Sequence, residues 1–378
     1  MRINILTPLF TGNMDGQTDI IRSTGVSGSI RWWNEAIFRG FNYFACDPNS
    51  NSSCPQDSNY YCHNCMLFGS TDIRRSFKLI IENEELSDSY RNRRILNIKP
   101  RERNRGWYLD KGKIGNFDLN LIPLTLNIDL SPVNLAIKIA SKWGAIGAKT
   151  QIGYGVVEIA DNKDPITIKN LKENFEKMIN DRLNLINIKL RRFYDKKLPN
   201  LKEFFFSKIQ FKVSNVRNES WWENINIVKT ENEKQLREWY YNSNSFPIAP
   251  SIKNWLRFKN GQNLIKNNNN TVKNFLYGKS KESASKINIS SAYQVKENLW
   301  EFRIWGWIPQ KKDFDREEFL NNLKSCLNGS NEDIKIPWDE ILGSKISNVN
   351  LIIWREFNSE RDSVNNLSRI EDFIESLL

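Results

Sequence analysis

The chain has 378 residues, enough for two domains with packed cores. A hydrophobic fraction of 39% with 12% aromatics excludes a disordered polymer. The net charge of +11 favours a polyanionic partner, nucleic acid before membrane.

No apolar run reaches the roughly 18 residues of a membrane span. The start, Met1 to Pro8, has too short an apolar stretch for a signal peptide, so a cytoplasmic protein with no membrane partner is expected. His63 is the only histidine, which leaves almost no candidate for a free His general base. Thirteen Trp are enough for some to fill cores and some to stand exposed for stacking.

In chain order, Arg2 to Thr7 reads as a strand, followed by a loop with Gly12, Asp15, Gly16 and Asp19. Ser27 to Arg39 reads as an amphipathic helix, with Ile30, Trp33 and Ile37 at helical spacing. A polar, Cys-containing insertion covers about 42–66, then Phe77 to Glu82 is a short strand. Arg91 to Lys113 is a basic loop, and Leu119 to Leu130 a long strand. Ser131-Pro132 opens a helix to Trp143, with Ser as N-cap and Pro at the first position. A Gly-rich loop, Gly144 to Gly155, leads to a last strand, Val156 to Ala160. This βαββαβ order is the ferredoxin-like plan.

The second half repeats it. A charged helix spans Ile168 to Tyr194, Phe204 to Val213 is a strand and Pro250 to Phe258 a helix. Asn267 to Asn270 is a solvated loop, and Ile287 to Val295 and Trp300 to Trp307 are strands. Asp315 to Leu327 is a helix, Val349 to Trp354 the final strand and Ile370 to Leu378 a docked helix. An internal similarity supports a duplication. Ser27-Gly28-Ser29-Ile30-Arg31-Trp32-Trp33 and later Leu67-Phe68-Gly69-Ser70 echo in Pro250-Ser251-Ile252-Lys253-Asn254-Trp255 and Leu276-Tyr277-Gly278-Lys279-Ser280. The fold class is therefore α+β, two ferredoxin-like (RRM-like) domains in tandem, divided as 1–165 and 166–378 with additional helices in the second.

Four segments carry chemistry. Cys46, Cys54, Cys62 and Cys65 are separated by seven, seven and two residues. Cys62-x-x-Cys65 is the usual zinc-knuckle spacing, and four thiolates close a tetrahedral shell with no open position for water, so the zinc would be structural. The turn-forming residues Asp47 to Ser53 need such a staple to order. His63 replacing one Cys, disulfides and free thiols remain alternatives. At Ser27-Gly28 a helix start exposes N–H groups to an anion, with Arg31 one turn on and Arg22 before it; an ordinary capped helix with a surface Arg would look the same.

The Gly-rich loop is not a P-loop, because Ala148 stands where Gly should precede Lys149 and the loop joins helix to strand. It reads as a flexible segment whose backbone, Gly153 and Gly155 included, closely approaches a nucleic-acid backbone, with Lys149 and Gln151 as donors and Tyr154 able to stack, or as a plain turn. The basic loop, with Arg101, Arg103 and Arg105 beside Trp107 and Tyr108, suits single-stranded RNA, or is simply solvated. Asp15 and Asp19 are weak candidates for Mg²⁺-dependent cleavage.

Taken in order, Leu6-Thr7-Pro8-Leu9-Phe10-Thr11-Gly12, Ser27 to Trp33, Cys62-x-x-Cys65-Met66-Leu67-Phe68-Gly69-Ser70 and Gly147 to Gly155 resemble the RAMP superfamily of CRISPR-associated proteins. The double Trp after Arg31 is most similar to the first RAMP subunit of type III-B (Cmr) effector complexes. The resemblance covers most of the first half and is weaker in the second. It implies two ferredoxin-like domains and a place among other subunits holding a CRISPR guide RNA and target RNA, toward the guide 3′ end, without the main slicing role. It maps RNA contact onto Lys149 to Gly155 and onto Ser27, Gly28 and Arg31. Zinc-binding Cys insertions before a Leu-Phe-Gly turn occur in related subunits. The family's basic run in the Gly-rich loop is reduced here to Lys149-Thr150-Gln151, and a slicing Asp is matched only roughly by Asp15 or Asp19. A binding and assembly subunit is thus expected, against an RNA-cleaving RAMP subunit or a zinc-stabilised nucleic-acid-binding protein outside CRISPR.

Overall fold

The computed structural model describes the chain apart from residues 51–52, 56–59, 92–93, 101–104, 161–165, 187–188, 191–197, 214–224, 226–227, 232, 267–268, 280–281 and 365–366. The first part runs β1 (Arg2–Leu9), α1 (Ser23–Gly40), β2 (Tyr60–Tyr61), α2 (His63–Phe68), β3 (Phe77–Asp88), β4 (Leu96–Pro100), β5 (Trp107–Leu109), β6 (Lys113–Pro123), α3 (Ser131–Trp143), β7 (Val157–Ile159). β3, β6, β1 and β7 form one antiparallel sheet in that spatial order. Val26, Ile30, Trp33 and Ile37 follow one another at three- and four-residue steps on α1, and Val133, Ile137 and Ala140 on α3. These stripes meet Ile3, Phe117 and Leu119 of the sheet in one core.

The second part runs α4 (Ile168–Ile186), β8 (Lys189–Leu190), β9 (Phe204–Val213), β10 (Val228–Glu231), α5 (Glu233–Ser243), β11 (Ser245–Phe246), α6 (Ala249–Phe258), α7 (Asn270–Tyr277), β12 (Ile287–Ile289), β13 (Ala292–Lys296), β14 (Leu299–Trp307), α8 (Arg316–Leu327), α9 (Trp338–Leu342), β15 (Ile346–Glu356), α10 (Ile370–Leu377). Its main sheet is ordered β11, β13, β14, β9, β15, with β12 also pairing β14. Taking β9, β13, β14 and β15 as first to fourth strands, the spatial order is second, third, first, fourth. β1, β3, β6 and β7 stand in that same order. A contact repeats as well. Arg31 Nη1 donates to the Gly69 carbonyl at 3.2 Å, and Arg257 Nη1, from one turn further along its helix, donates to the Gly278 carbonyl at 2.8 Å.

The hydrophobic core does not divide at residue 165. Trp33 packs against Phe204, Phe206 and Trp305 with ring centroids 5.7, 6.2 and 5.3 Å away, and α10 contributes Phe373, Ile374 and Leu377 to the N-terminal core. Phe10, Leu96, Ile98 and Tyr154 lie in the other core, among residues of the second half. No tryptophan among the described residues is exposed, and Trp221 and Trp222 lie outside them. No helix among the described residues is long and apolar enough to cross a membrane.

Several element boundaries differ from the sequence expectation. α1 starts at Ser23, four residues early. The strand expected at Leu119 to Leu130 is β6, which begins at Lys113 and ends at Pro123, because Ile114, Phe117 and Leu119 are its buried side chains. Ser131 is the first helical residue of α3 rather than its cap, and its N–H is accepted by the Asp129 carboxylate at 2.9 Å. The basic loop contains the β4–β5 hairpin, which pairs with β10 in a separate three-stranded sheet.

Candidate metal centre and nucleic-acid interface

The insertion leaves α1 at Gly40 and returns through α2, and this brings all four cysteines together. The Sγ atoms of Cys46, Cys54, Cys62 and Cys65 lie within 4.8 Å of one another, and all four residues are buried. Cys46 and Cys65 Sγ are 3.6 Å apart, close to the edge of about 3.8 Å that a ZnS₄ tetrahedron with 2.3 Å bonds requires. Backbone donors point at the sulfurs. Cys62 N–H donates to Cys54 Sγ at 3.2 Å and Cys65 N–H to Cys62 Sγ at 3.3 Å. Buried sulfurs that accept N–H donors fit thiolate ligands of a closed tetrahedral metal ion. His63 is not among the clustered ligands; its ring stacks on Tyr43 with centroids 4.7 Å apart.

Arg31 belongs to this centre. Its Nη2 lies 3.3 Å from Cys65 Sγ, its Nε donates to Glu35 at 3.0 Å, and its Nη1 holds the Gly69 carbonyl. Arg31, expected as a phosphate clamp, has its guanidinium engaged by Cys65, Glu35 and Gly69. Glu35 is 5% exposed and also accepts from Asn64 at 3.0 Å. Burial pushes its carboxyl up, and Arg39 and Arg31 pull it back. Arg39 in turn fastens the insertion through the carbonyls of Ala45 at 3.0 Å and Cys46 at 2.9 Å. Glu35 and Arg39 were not singled out in the sequence. Their signal was present as the i, i+4, i+8 series Arg31, Glu35, Arg39 on one helix face.

The other expected contact residues split into two groups. Because α1 begins at Ser23, the N–H groups of Ser27 and Gly28 lie inside the helix rather than at its open end, and their expected role as a bare helix tip does not hold. They still face outward: Gly28 is exposed, and a Cβ added there meets nothing. Arg22 is bound by both oxygens of Asp19 at 3.0 Å. The tip of the Gly-rich loop joins this surface, since the Ala148 N–H donates to the Phe10 carbonyl at 2.7 Å beside the β1–α1 loop. Lys149 there pairs with Asp110 and sits over the Phe10 ring, 3.9 Å from its centroid, and Gln151 is half-exposed.

The far end of the loop is packed against the second half. Tyr154 is fully buried between Phe10 and Trp239, and its hydroxyl donates to the Asp110 carbonyl, so it does not stack on a base. Gly153 has φ +112°, and its carbonyl accepts from Ser291 N–H at 3.0 Å. Gly155 has φ +83°, and a Cβ there would stand 1.9 Å from the Ile146 carbonyl oxygen. These two glycines make a buried turn rather than the expected backbone contact with RNA. Of the basic loop, Arg105 is exposed, Lys111 and Lys113 pair with Asp88 at 2.7 and 2.8 Å, and Arg101 and Arg103 lie outside the described residues.

Together these observations define a mixed α/β protein with two similarly ordered antiparallel sheets and a four-cysteine centre stapling an insertion. Residues 2–158 match the family model of the RAMP superfamily. No curated protein matches the sequence. Among solved structures the chain is similar to the apo form of Cmr1 from Pyrococcus furiosus, at 13% identity and TM-score 0.34 over 83% of this chain and 88% of that one. It is also similar to chains of the type III-B Cmr-beta complex bound to cognate target RNA. One is 14% identical with TM-score 0.37, covering 86% of this chain and 98% of that one. Another is 11% identical with TM-score 0.39, covering 85% and 98%. At these TM-scores the structural likenesses carry no weight of their own.

Proposed function

We propose that the chain is a non-catalytic, RNA-binding RAMP subunit of a type III-B CRISPR effector complex, seated with other subunits on guide RNA and target RNA toward the guide 3′ end. The observation that carries this reading is the RAMP superfamily match over residues 2–158. The net charge of +11 and the repeated strand order, read as two ferredoxin-like halves, support it. The strand of RNA would cross the surface made by the β1–α1 loop, the outer face of α1 and the tip of the Gly-rich loop, touching Arg22, Ser27, Gly28, Lys149 and Gln151, with Arg105 nearby. Arg22 engages both carboxylate oxygens of Asp19, which favours binding over cleavage.

Affinity-purified protein should bring down a short RNA carrying CRISPR-repeat sequence. Its affinity for that RNA should fall steeply with salt. Arg22→Glu with Lys149→Glu should weaken binding and lower the salt slope by about 1 to 1.5, two single-strand phosphate contacts' worth. An unchanged slope in the double variant would remove these residues from the interface. Mg²⁺-dependent cleavage of bound target that disappears in Asp15→Ala or Asp19→Ala would overturn the non-catalytic assignment.

The four cysteines are proposed to hold a structural zinc, with Arg31 offsetting the negative charge of the ZnS₄ unit. Arg31→Ala should leave one zinc bound but weaken its retention about ten- to a hundredfold in chelator competition. Retention equal to wild type would leave Arg31 a purely packing role.

A further inference from the structure

The seam between the two sheets encloses a cavity of about 340 Å³ that the RNA surface does not use. Four cations reach it from three elements. Lys138 and Lys142 stand one turn apart on α3, Lys208 comes from the central strand β9, and Arg303 from β14. The acids at the cavity are Glu158 of β7, Glu301 of β14 and the Leu378 carboxylate, three against four cations.

Internal pairing uses up part of this set. Arg303 donates to the carbonyls of Ser141 at 2.7 Å and Gly144 at 3.0 Å and to the Tyr293 hydroxyl at 3.0 Å. Glu301 accepts from Tyr293 on one oxygen and from Gln210 at 2.8 Å on the other. Lys208 is left with a distant partner: its Nζ lies 3.9 Å from Glu301, and its other neighbour is the Trp143 ring at 5.1 Å. Lys142 donates once, to an oxygen of the Leu378 carboxylate at 2.8 Å. Each ammonium has three N–H groups, so both keep donors for a ligand. Burial, with Arg303 as the next cause, pushes the Lys208 ammonium down to about 8, and burial with nearby Arg355 lowers that of Lys142. A folded chain that holds like charges together without enough acid between them is arranged for an anion from outside.

We propose that this seam cavity is a binding site for a phosphate-bearing nucleotide unit, its phosphate held by Lys208 and Lys142. The volume admits a nucleotide rather than a lone ion. A phosphate dianion supplies the charge the two ammonium groups lack. Exposed Glu158 and the Gln294 amide, also lining the cavity, offer an acceptor and a donor for ribose hydroxyls or a base edge. The unit would come either free from solution or as part of an RNA strand. The site stands independently of the function proposed above.

The test uses the full chain and the probes orthophosphate, AMP and a short single-stranded RNA, with binding read by calorimetry. Wild type should bind AMP more tightly than orthophosphate. Lys208→Met should weaken AMP binding about tenfold or more, the loss of one charge-assisted contact. Its thermal midpoint without ligand should not fall, since a buried ammonium is exchanged for an apolar side chain of similar length. If the RNA displaces AMP and Lys208→Met weakens both, the strand is the source; if AMP binds and the RNA does not compete, the source is a free nucleotide. AMP binding to Lys208→Met at wild-type strength, or no AMP binding by wild type, would overturn the assignment. Failure of RNA binding with AMP binding retained would count against the proposed function alone.

Discussion

Cys62→Ser is expected to strip the protein of its metal and to unfold the segment from Phe44 to Met66. The four sulfurs are buried within 4.8 Å of one another, and the chain between Cys46 and Cys54 contributes Asp, Pro, Asn and Ser residues that bring no apolar surface. Ligation free energy here is folding free energy, of the order of 10–16 kcal/mol for structural zinc in isolated peptides. The loss would spread beyond the insertion. Phe44, Ala45, Met66 and Leu67 belong to the same core as α1 and α3, and Arg39 bridges the insertion to the Pro199 carbonyl at 2.9 Å. Elemental analysis should give about one zinc per wild-type chain and a small fraction of that in Cys62→Ser, with a lower thermal midpoint that chelator treatment of the wild type reproduces. Wild-type protein free of zinc and indifferent to chelator would dispose of the metal centre.

The cysteine set was legible because its signal is covalent spacing: Cys62-x-x-Cys65 with two further cysteines upstream can be counted without knowing the fold. Elements with strong periodicity were equally plain. β9, expected at Phe204 to Val213, is found with those bounds, and α8 begins one residue after its Asp315 cap. What failed were partners distant in sequence. Arg31 was placed on the right helix, yet its role is set by Cys65 and Gly69, more than 30 residues away. Tyr154 follows a glycine in a loop that reads as exposed, but Trp239 and Phe10 enclose it. The β4–β5 hairpin was hidden because Leu96 and Ile98 alternate only briefly among arginines and lysines, and its stability depends on β10, some 130 residues downstream by the Lys99–Lys229 register. Local composition fixes what a segment can become; a strand or a buried aromatic that depends on a remote neighbour leaves no local trace.

Glu356→Ala should be the most damaging single change outside the metal centre, by about 3–5 kcal/mol in denaturant unfolding of the full chain. Glu356, the last residue of β15, is fully buried. Its oxygens receive Arg361 Nε at 2.6 Å and Nη2 at 2.7 Å, pair with Arg316 at 3.0 Å and accept the Trp354 indole N–H at 3.2 Å. Removing the carboxylate leaves Arg361 and Arg316, 4% and 9% exposed, paired with the exposed Glu317. Uncompensated buried charge, rather than the lost attraction, sets the size of the effect. The damage would not stay local. Adjacent Arg355 binds Asp362 and reaches the Ser376 carbonyl at 2.9 Å, and through it β15 holds α10, whose Phe373, Ile374 and Leu377 sit in the N-terminal core. Glu356→Ala should therefore loosen the docking of α10 as well, seen as faster amide exchange in residues 370–377, while Glu360→Ala at the exposed end of the same loop serves as a neutral control. Unfolding midpoints within about 0.5 kcal/mol of wild type would mean that solvent reaches this cluster and screens it.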